Sequence, residues 1–526
     1  MKGPAHGVEQ LLNEAASAHN RGALDLAALL YEKVLDLEPR HFTALNLLGV
    51  LKGQLGQPAE GEAILRKALA VNPDNGDANA NMGLMLGKLG RHAQAIGYFT
   101  KAIEKHPEQP GYMLNLAFHL VDYEKPADAI DVANILIQLY PTYYRAHHAK
   151  ANALMLQSKY AEAQENYQIA LKGNDQDQSL WSNLGATYRM LKDFPQALRC
   201  HDKALSLDPE NVDARWERAL TLLTAGQFEA GWKDYVAGKK ERGLQSRPKL
   251  GKTWDGKADL KNKSIFVYRE QGLGDVLQFC RFIEPLAHTG ARIYFAPHAP
   301  LKWLMRSMGA GFEICDFSDA ELETDYHAPL LSLPAWLHAH AAPSQVPYLF
   351  ASQDNVLTWA RRIGMQGFRI GVCWQGSTGK ADLGRSFPVR HFEGLSQIPG
   401  VRLISLHKGD GERQLQSLPW GARIETLGDD FDSGPDGFFD TAAVMTSLDL
   451  VITSDTAVAH LAGALGAPVW VALKSAPDWR WMTDRADNPW YPTMRLFRQP
   501  GAGDWEGVFA QMESALRERL HCSAPA

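Results

Sequence analysis

Small residues and prolines recur through the first two-fifths of the chain at a spacing of 34 residues. Counted from Val8, the eighth position of successive units is Ala15, Gly49, Gly83, Ala117, Ala151, Gly185 and Ala219. The twentieth is Ala27, Gly61, Ala95, Ala129, Ala163, Ala197 and Gly231. The thirty-second is Pro39, Pro73, Pro107, Pro141, Asp175 and Pro209. Small side chains in the first two columns predict two antiparallel helices in close approach. Proline in the third ends the second helix and turns the chain into the next unit. Three columns held in phase predict an α-solenoid of helix pairs over residues 1–238. Residues 239–262 are rich in Lys, Arg and Gly and contain Pro248, a composition that predicts a linker.

After the linker the period changes. Short β-rich runs are expected at Ser264–Arg269, Arg292–Ala296, Arg369–Trp374, Arg402–Leu406, Leu448–Thr453 and Pro468–Leu473. Helices are expected between and after them, at Asp275–Ala287, Val389–Gln397, Asp440–Ser447, Thr456–Leu465 and Trp505–Leu520. Strand–helix alternation predicts parallel sheets covered on both faces. The stretch near Pro343–Pro347 splits this half into residues 263–345 and 346–526. Two Rossmann-like sheets facing each other over a cleft are the natural arrangement, with ligands beyond the carboxyl ends of the strands.

Within the solenoid, Trp181, Leu184, Gly185, Tyr188, Ala197, Ala204 and Pro209 have a spacing that resembles the tetratricopeptide repeat. The resemblance covers residues 8–211 as six units, and a truncated seventh runs to about Gly238. In that family the first helix of each pair lines the concave face. Its sixth position here holds Asn13, Asn81, Asn115 and Asn183, interrupted by Leu47 and Ala149. An asparagine side chain can pair with both groups of a peptide unit. The row resembles the asparagine ladder of eukaryotic O-GlcNAc transferases, which implies Asn81, Asn115 and Asn183 as contacts to an acceptor polypeptide. Asparagines also gather near helix starts and loops for purely local reasons.

Composition narrows the classes. The 526 residues exceed one core. A formal charge of −6 argues against nonspecific binding to nucleic acid. The N-terminal segment lacks the apolar region of a secretory signal, and no run of sequence has the length of a membrane span. The five cysteines are scattered, with no CxxC pair, as expected of reduced thiols in a cytoplasmic protein without structural zinc.

Two motifs carry chemistry. In Arg269-Glu-Gln-Gly-Leu-Gly-Asp275 a strand enters a glycine-containing turn and then a helix. Gly272 and Gly274 let a ligand approach the backbone, and the helix start offers amides. Asp275 at that place also suits an ordinary helix cap. The second motif, Asp455-Thr-Ala-Val-Ala-His460, follows the run LDLVITS. Asp455 and Thr456 stand at the mouth of a helix, and His460 lies one turn on, on the face of Thr456. Amides, a hydroxyl and an imidazole converging there suit a phosphate or diphosphate. A capping Asp455 and a satisfied core histidine are the plain alternative.

In order and spacing, Arg269/Gly274/Asp275 and Asp455–Pro468 resemble the ADP-heptose:lipopolysaccharide heptosyltransferase family. The resemblance runs from about Lys263 to the C-terminus. It implies a GT-B fold and inverting transfer from a nucleotide sugar without a metal or other cofactor. It also implies Asp275 as the base, and Gly274, Asp455, Thr456 and His460 at the donor. Arg385, before Phe387-Pro388, matches a basic donor contact better than Lys380 does. Glu412 is a loose match to a nucleotide-contacting acid, and Gln271 lies in the catalytic turn without an assigned role. The segment Pro477-Asp-Trp-Arg-Trp481 and the pair Trp490-Tyr491 are unusual for that family; they are expected to pack as large aromatics, with covering the nucleotide or carrying the chain back to the first sheet as the alternatives.

A peptide-holding solenoid joined to a sugar-transfer cleft points to a protein O-glycosyltransferase acting on Ser or Thr. Its domain arrangement resembles bacterial transferases that modify flagellin in the cytoplasm with nonulosonic acids. That makes flagellin the leading acceptor and CMP-pseudaminic acid or ADP-heptose the kind of donor expected. A non-catalytic scaffold with a decayed cleft, and an enzyme acting on polysaccharide or lipid, are the rival readings.

Overall fold

A computed structural model describes residues 4–241, 251–309, 311–318, 322–338, 345–376 and 384–522. The chain forms two compact units. One comprises Met1–Leu191 with Lys203–Pro209, the other Lys192–Asp202 with Glu210–Ala526.

Paired helices follow the 34-residue spacing. They are α1 (Pro4–Asn20), α2 (Leu24–Leu37), α3 (Phe42–Gln54), α4 (Pro58–Val71), α5 (Gly76–Lys88), α6 (His92–Lys105) and α7 (Pro110–Asp122). The series continues with α8 (Pro126–Leu139), α9 (Tyr144–Leu156), α10 (Tyr160–Gly173), α11 (Gln178–Met190), α12 (Phe194–Leu207), α13 (Val212–Thr224) and α14 (Phe228–Glu241). The small-residue columns meet inside each pair. A Cβ on Gly61 would lie 2.6 Å from the carbonyl oxygen of Gly49, so the backbones of α3 and α4 all but touch. Where alanine fills the columns, as at Ala15, Ala27, Ala117 and Ala129, it is fully buried. Pro39, Pro73, Pro107, Pro141 and Pro209 each stand two residues beyond a helix end, where no helical amide is needed.

A fourth column escapes the sequence reading. The turn inside each pair has a left-handed residue at Gly22, Gly56, Gly90, Glu124, Ser158, Lys192 and Gly226, with φ between 58° and 77°. Glycine takes this conformation without strain, whereas Glu124, Ser158 and Lys192 hold it with a Cβ in place.

The last repeat helix ends at Glu241, and the compact unit that holds the earlier repeats ends at Pro209. The pair α13–α14 packs in the second unit, with Trp232 edge-on to Phe279 and Trp479, and Phe228 against Trp490.

The second unit holds two parallel sheets. The first contains β1 (Lys252–Thr253), β2 (Ser264–Tyr268), β3 (Arg292–Ala296), β4 (Phe312–Ile314) and β5 (Tyr326–Pro329), in the order β1-β5-β2-β3-β4. The second contains β6 (Phe368–Cys373), β7 (Val401–Ser405), β8 (Ile424–Glu425), β9 (Leu450–Ser454), β10 (Val469–Leu473) and β11 (Met494–Arg498). Their order, β8-β7-β6-β9-β10-β11, is that of a doubly wound sheet, with the switch point between β6 and β9. The main helices are α15 (Leu273–Phe279), α16 (Gln353–Ile363), α17 (Phe439–Met445), α18 (Ala457–Ala464) and α19 (Trp505–Cys522). Central strands such as β9 and β10 are buried along their whole length, as strands covered on both faces must be.

The six strands expected from sequence are present within about two residues at each end. Part of the expected linker proves to be structure: Lys252 and Thr253 pair with Tyr326 and His327 as an edge strand, and Trp254 beside them is buried. An edge strand of two residues carries no apolar run to announce it.

Replacing Gly61 by alanine should force α3 from α4 and lower stability by about 1–3 kcal/mol, read as a reduced melting temperature. Glu124→Gly and Ser158→Gly should each raise stability by roughly 0.5–1 kcal/mol by relieving the left-handed turn. Burial lowers the pKa of His119, and pulls that of His148 down to about 4 from an ordinary 6.5. Folding therefore favours their neutral forms. Their contribution is complete above the unfolded value near 6.5 and is lost as pH falls towards 4. Helical melts followed by circular dichroism should weaken over that window, and a melting temperature that rose on acidification would contradict this.

Candidate functional site

The turn after β2 is pinned from several directions. Arg269 donates to the carbonyl of Pro297 at 2.9 Å, and the Glu270 carboxylate accepts the Leu331 amide at 3.2 Å. Gln271 donates its side-chain amide to the Tyr235 hydroxyl of α14 at 2.9 Å, while its own carbonyl meets His298 at 2.6 Å. The turn thus hands a fixed direction to α15. Asp275 occupies the third position of that helix rather than its cap, and one carboxylate oxygen accepts the Gly272 amide at 2.8 Å. Its other oxygen accepts from Arg480.

Facing this turn is the switch point of the second sheet. β9 ends at Ser454, Asp455 follows, and Thr456 stands at the cap position of α18 with its hydroxyl 3.1 Å from that of Thr453. The mouth of α18 meets the mouth of α15 closely. A Cβ on Gly274 would stand 2.9 Å from the His460 ring, so glycine is required for the approach. Asp455 is buried, and burial together with the neighbouring Asp478 carboxylate raises its pKa. His460 is buried between aromatics. Its ring stacks on Trp481 at 5.1 Å, and Nδ1 lies 3.0 Å from the Tyr491 hydroxyl. Burial, and then the Arg480 charge, pull its pKa down to about 3, so the ring is neutral near pH 7.

Arg480 binds the two sides together. Its guanidinium donates to Asp275, to Gln278 at 2.9 Å and to Asp478 at 2.7 Å, and it lies over the Trp479 ring at 4.4 Å. Burial opposes its charge, but Asp478 and Asp275 outweigh that and raise its pKa. Deeper on the second sheet, Cys373 and His407 approach to 3.7 Å, and His407 stacks on Trp374. Burial pushes the thiol up to about 11 and the imidazole down to about 4. The pair is therefore a neutral thiol beside a neutral imidazole, not an activated nucleophile.

One cavity of about 1050 Å³ collects these groups. Gly274, Asp275, Arg385, Asp455, Thr456 and His460 all line it, so Gly274 and His460, 186 positions apart in sequence, share one space. Gln271 lines it too, whereas Glu412 is absent from the lining and its neighbour Gly411 is present. Lys380 lies outside the described residues. Asp478 and Arg480, from the segment expected to pack or to cover the nucleotide, line the cavity, as do His407, Lys408 and Asp432, to which the sequence assigns no role. A charged pair inside an aromatic run was the available signal for Asp478 and Arg480. Lys408 and Asp432 sit after strands in loops whose pairing only the fold reveals.

The asparagines of the solenoid belong to the other unit. Asn81 donates to Asn46 at 3.1 Å, and Asn183 donates to His148 at 3.2 Å, each partner standing 35 residues earlier on the preceding unit's first helix. Both side chains are half-buried and tie neighbouring repeats together, while Asn115 is half-buried with its carbonyl accepting from His119. The donors that would meet a peptide are thus partly spent on the solenoid itself at Asn81 and Asn183.

Comparison with known proteins follows the division into parts. The tetratricopeptide-repeat family matches residues 48–110, 80–144 and 179–211. Protein FlbA of Caulobacter vibrioides is 24% identical, over 70% of this chain and 72% of that protein. The Hsp70-Hsp90 organizing protein of Triticum aestivum is 30% identical over 91 residues, which are 17% of this chain and 16% of that protein. Among solved structures, a tetratricopeptide repeat protein from Parabacteroides merdae is 15% identical with a TM-score of 0.41, covering 45% of this chain and 94% of its own. Pseudomonas aeruginosa pilF is 20% identical with a TM-score of 0.35, covering 41% of this chain and 97% of its own. No helix among the described residues is long and apolar enough to cross a membrane. The helix pairs of the N-terminal part are tetratricopeptide repeats, joined in one chain to a part built on parallel sheets.

Proposed function

We propose that the second unit is an inverting, metal-independent glycosyltransferase of GT-B type, and that the repeats hold its polypeptide acceptor. The observation that carries this reading is the cavity in which Asp275, from the first sheet, shares one space with Asp455, Thr456 and His460 at the switch point of the second. Open α/β sheets bind ligands at such points.

The chemistry follows from the groups present. A nucleotide sugar lies with its phosphate at the mouth of α18, where Ala457 and Val458 line the cavity and the first helical amides are free to meet an anion. Asp275 takes the proton of a Ser or Thr hydroxyl as that oxygen attacks the anomeric carbon. The glycosidic bond breaks, and the electron pair leaves with the phosphate, whose growing charge is met by helix amides, His460 and Arg385. A diphosphate from ADP-heptose or a monophosphate from CMP-pseudaminic acid would suit the same helix terminus. Flagellin is the acceptor to test first.

The test is intact-mass measurement of flagellin co-expressed with the protein and a nonulosonic-acid pathway, followed by the same reaction with Asp275→Asn. That variant keeps the carboxylate's shape and an oxygen for Arg480. Transfer should fall by about 100-fold or more, while donor binding persists. Undiminished transfer removes Asp275 as the base. Absence of transfer in both proteins, across candidate donors and acceptors, favours a scaffold.

A further inference from the structure

Behind His460 lies a run of hydrogen bonds whose directions are set by what each group can do. Arg281 is buried just after α15, and its guanidinium, which can only donate, reaches the Tyr348 hydroxyl at 2.6 Å. That hydroxyl lies 2.8 Å from the carbonyl of Leu277, which can only accept, so the single Tyr348 proton is spent there. The Tyr491 hydroxyl stands within electrostatic reach of Tyr348 and 3.0 Å from Nδ1 of His460.

The Tyr491 proton therefore has two candidate acceptors. One is the Tyr348 oxygen, already engaged by the Arg281 cation. The other is an imidazole nitrogen, intrinsically the stronger acceptor. The Arg281 guanidinium also lies over the Tyr491 ring at 4.8 Å, which makes the Tyr491 hydroxyl a better donor. Donation to Nδ1 leaves the ring's own proton on Nε2. The Nε2 edge is the one beside Gly274, 3.6 Å from where a Cβ would stand, and His460 lines the cavity there.

We propose that Tyr491, backed by Tyr348 and Arg281, fixes His460 as the neutral tautomer with its proton on Nε2, so that the ring presents a hydrogen-bond donor to a phosphate in the cleft. Tyr491 is a positioning residue in this scheme, since it acts through His460. The inference rests on the sugar-transfer reading only for whose phosphate is bound. Among the charged groups facing the ring, Arg480, Arg281 and Arg385 oppose a second proton and Asp478 favours one. With burial added, the balance keeps the ring neutral. A neutral donor does not need acid to engage an anion.

The experiment is nitrogen-15 spectroscopy of the full chain labelled at histidine, with the His460 signals assigned by their loss in His460→Gln. Near neutral pH, Nε2 should be of the protonated type and Nδ1 of the unprotonated type, and mild acidification should change neither. Inorganic pyrophosphate should shift the Nε2 signal. Tyr491→Phe should mix the two tautomers and weaken pyrophosphate binding roughly tenfold. Tyr348→Phe leaves Tyr491 free to donate and should preserve the tautomer, which keeps the idea testable if Tyr491→Phe does not fold. A proton on Nδ1 in the unaltered protein, a doubly protonated ring near neutral pH, or an unchanged tautomer in Tyr491→Phe overturns the proposal. A tautomer as expected in a protein that transfers no sugar would sink the sugar-transfer reading and leave this one standing.

Discussion

Two arginines cross between α15 and the 478–491 segment in opposite senses. Arg480 reaches from that segment to Asp275 and Gln278, and Arg281 reaches from the end of α15 to the carbonyl of Trp490 at 2.9 Å. Each guanidinium lies over an aromatic ring, Trp479 at 4.4 Å and Tyr348 at 4.2 Å. A planar, permanently charged fork suits this task better than a lysine would, because it binds several acceptors at set angles. Buried ion pairs return little net stability, since removing both charges from water costs about as much as their attraction gives back. Their effect here is geometric. Arg480 holds Asp275 beside the 478–491 segment, and Arg281 fixes the end of α15 against Trp490 of the same segment.

The solenoid was read from three columns, and each column corresponds to a contact. Gly49 and Gly61 meet backbone to backbone, and the prolines stand just past helix ends. The left-handed column was hidden because three of its seven members are Glu124, Ser158 and Lys192, which do not look like turn glycines. Identity was lost there while conformation was kept. The ties between neighbouring units were hidden for another reason. Asn81 to Asn46 and Asn183 to His148 run at 35 residues, one off the period along which the columns were counted.

In the sheets, strands with continuous apolar runs were legible, and short or edge strands were not. β1, β4, β5 and β8 are two to four residues long, too short to show an apolar or alternating run. The candidate site divides similarly. Asp275, Asp455, Thr456 and His460 stand where a strand passes into a helix, a position that sequence marks well. Arg480 and Tyr491 lie in a loop of large aromatics, and their meaning appears only when that loop folds back on α15 and α18.

The seventh helix pair gives the chain an asymmetry of its own. Repeats before Leu191 contact their neighbours in a series, and such a series can gain or lose members with only local effect. The pair α13–α14 has no such freedom. Tyr235 holds Gln271 of the turn after β2, and Trp232 and Phe228 are buried among aromatics of the sheet-bearing part. A lineage that lengthened or shortened its row of helix pairs could do so anywhere upstream. It would have to keep this last pair as inherited, because in its packing it is already part of the sheet-bearing unit.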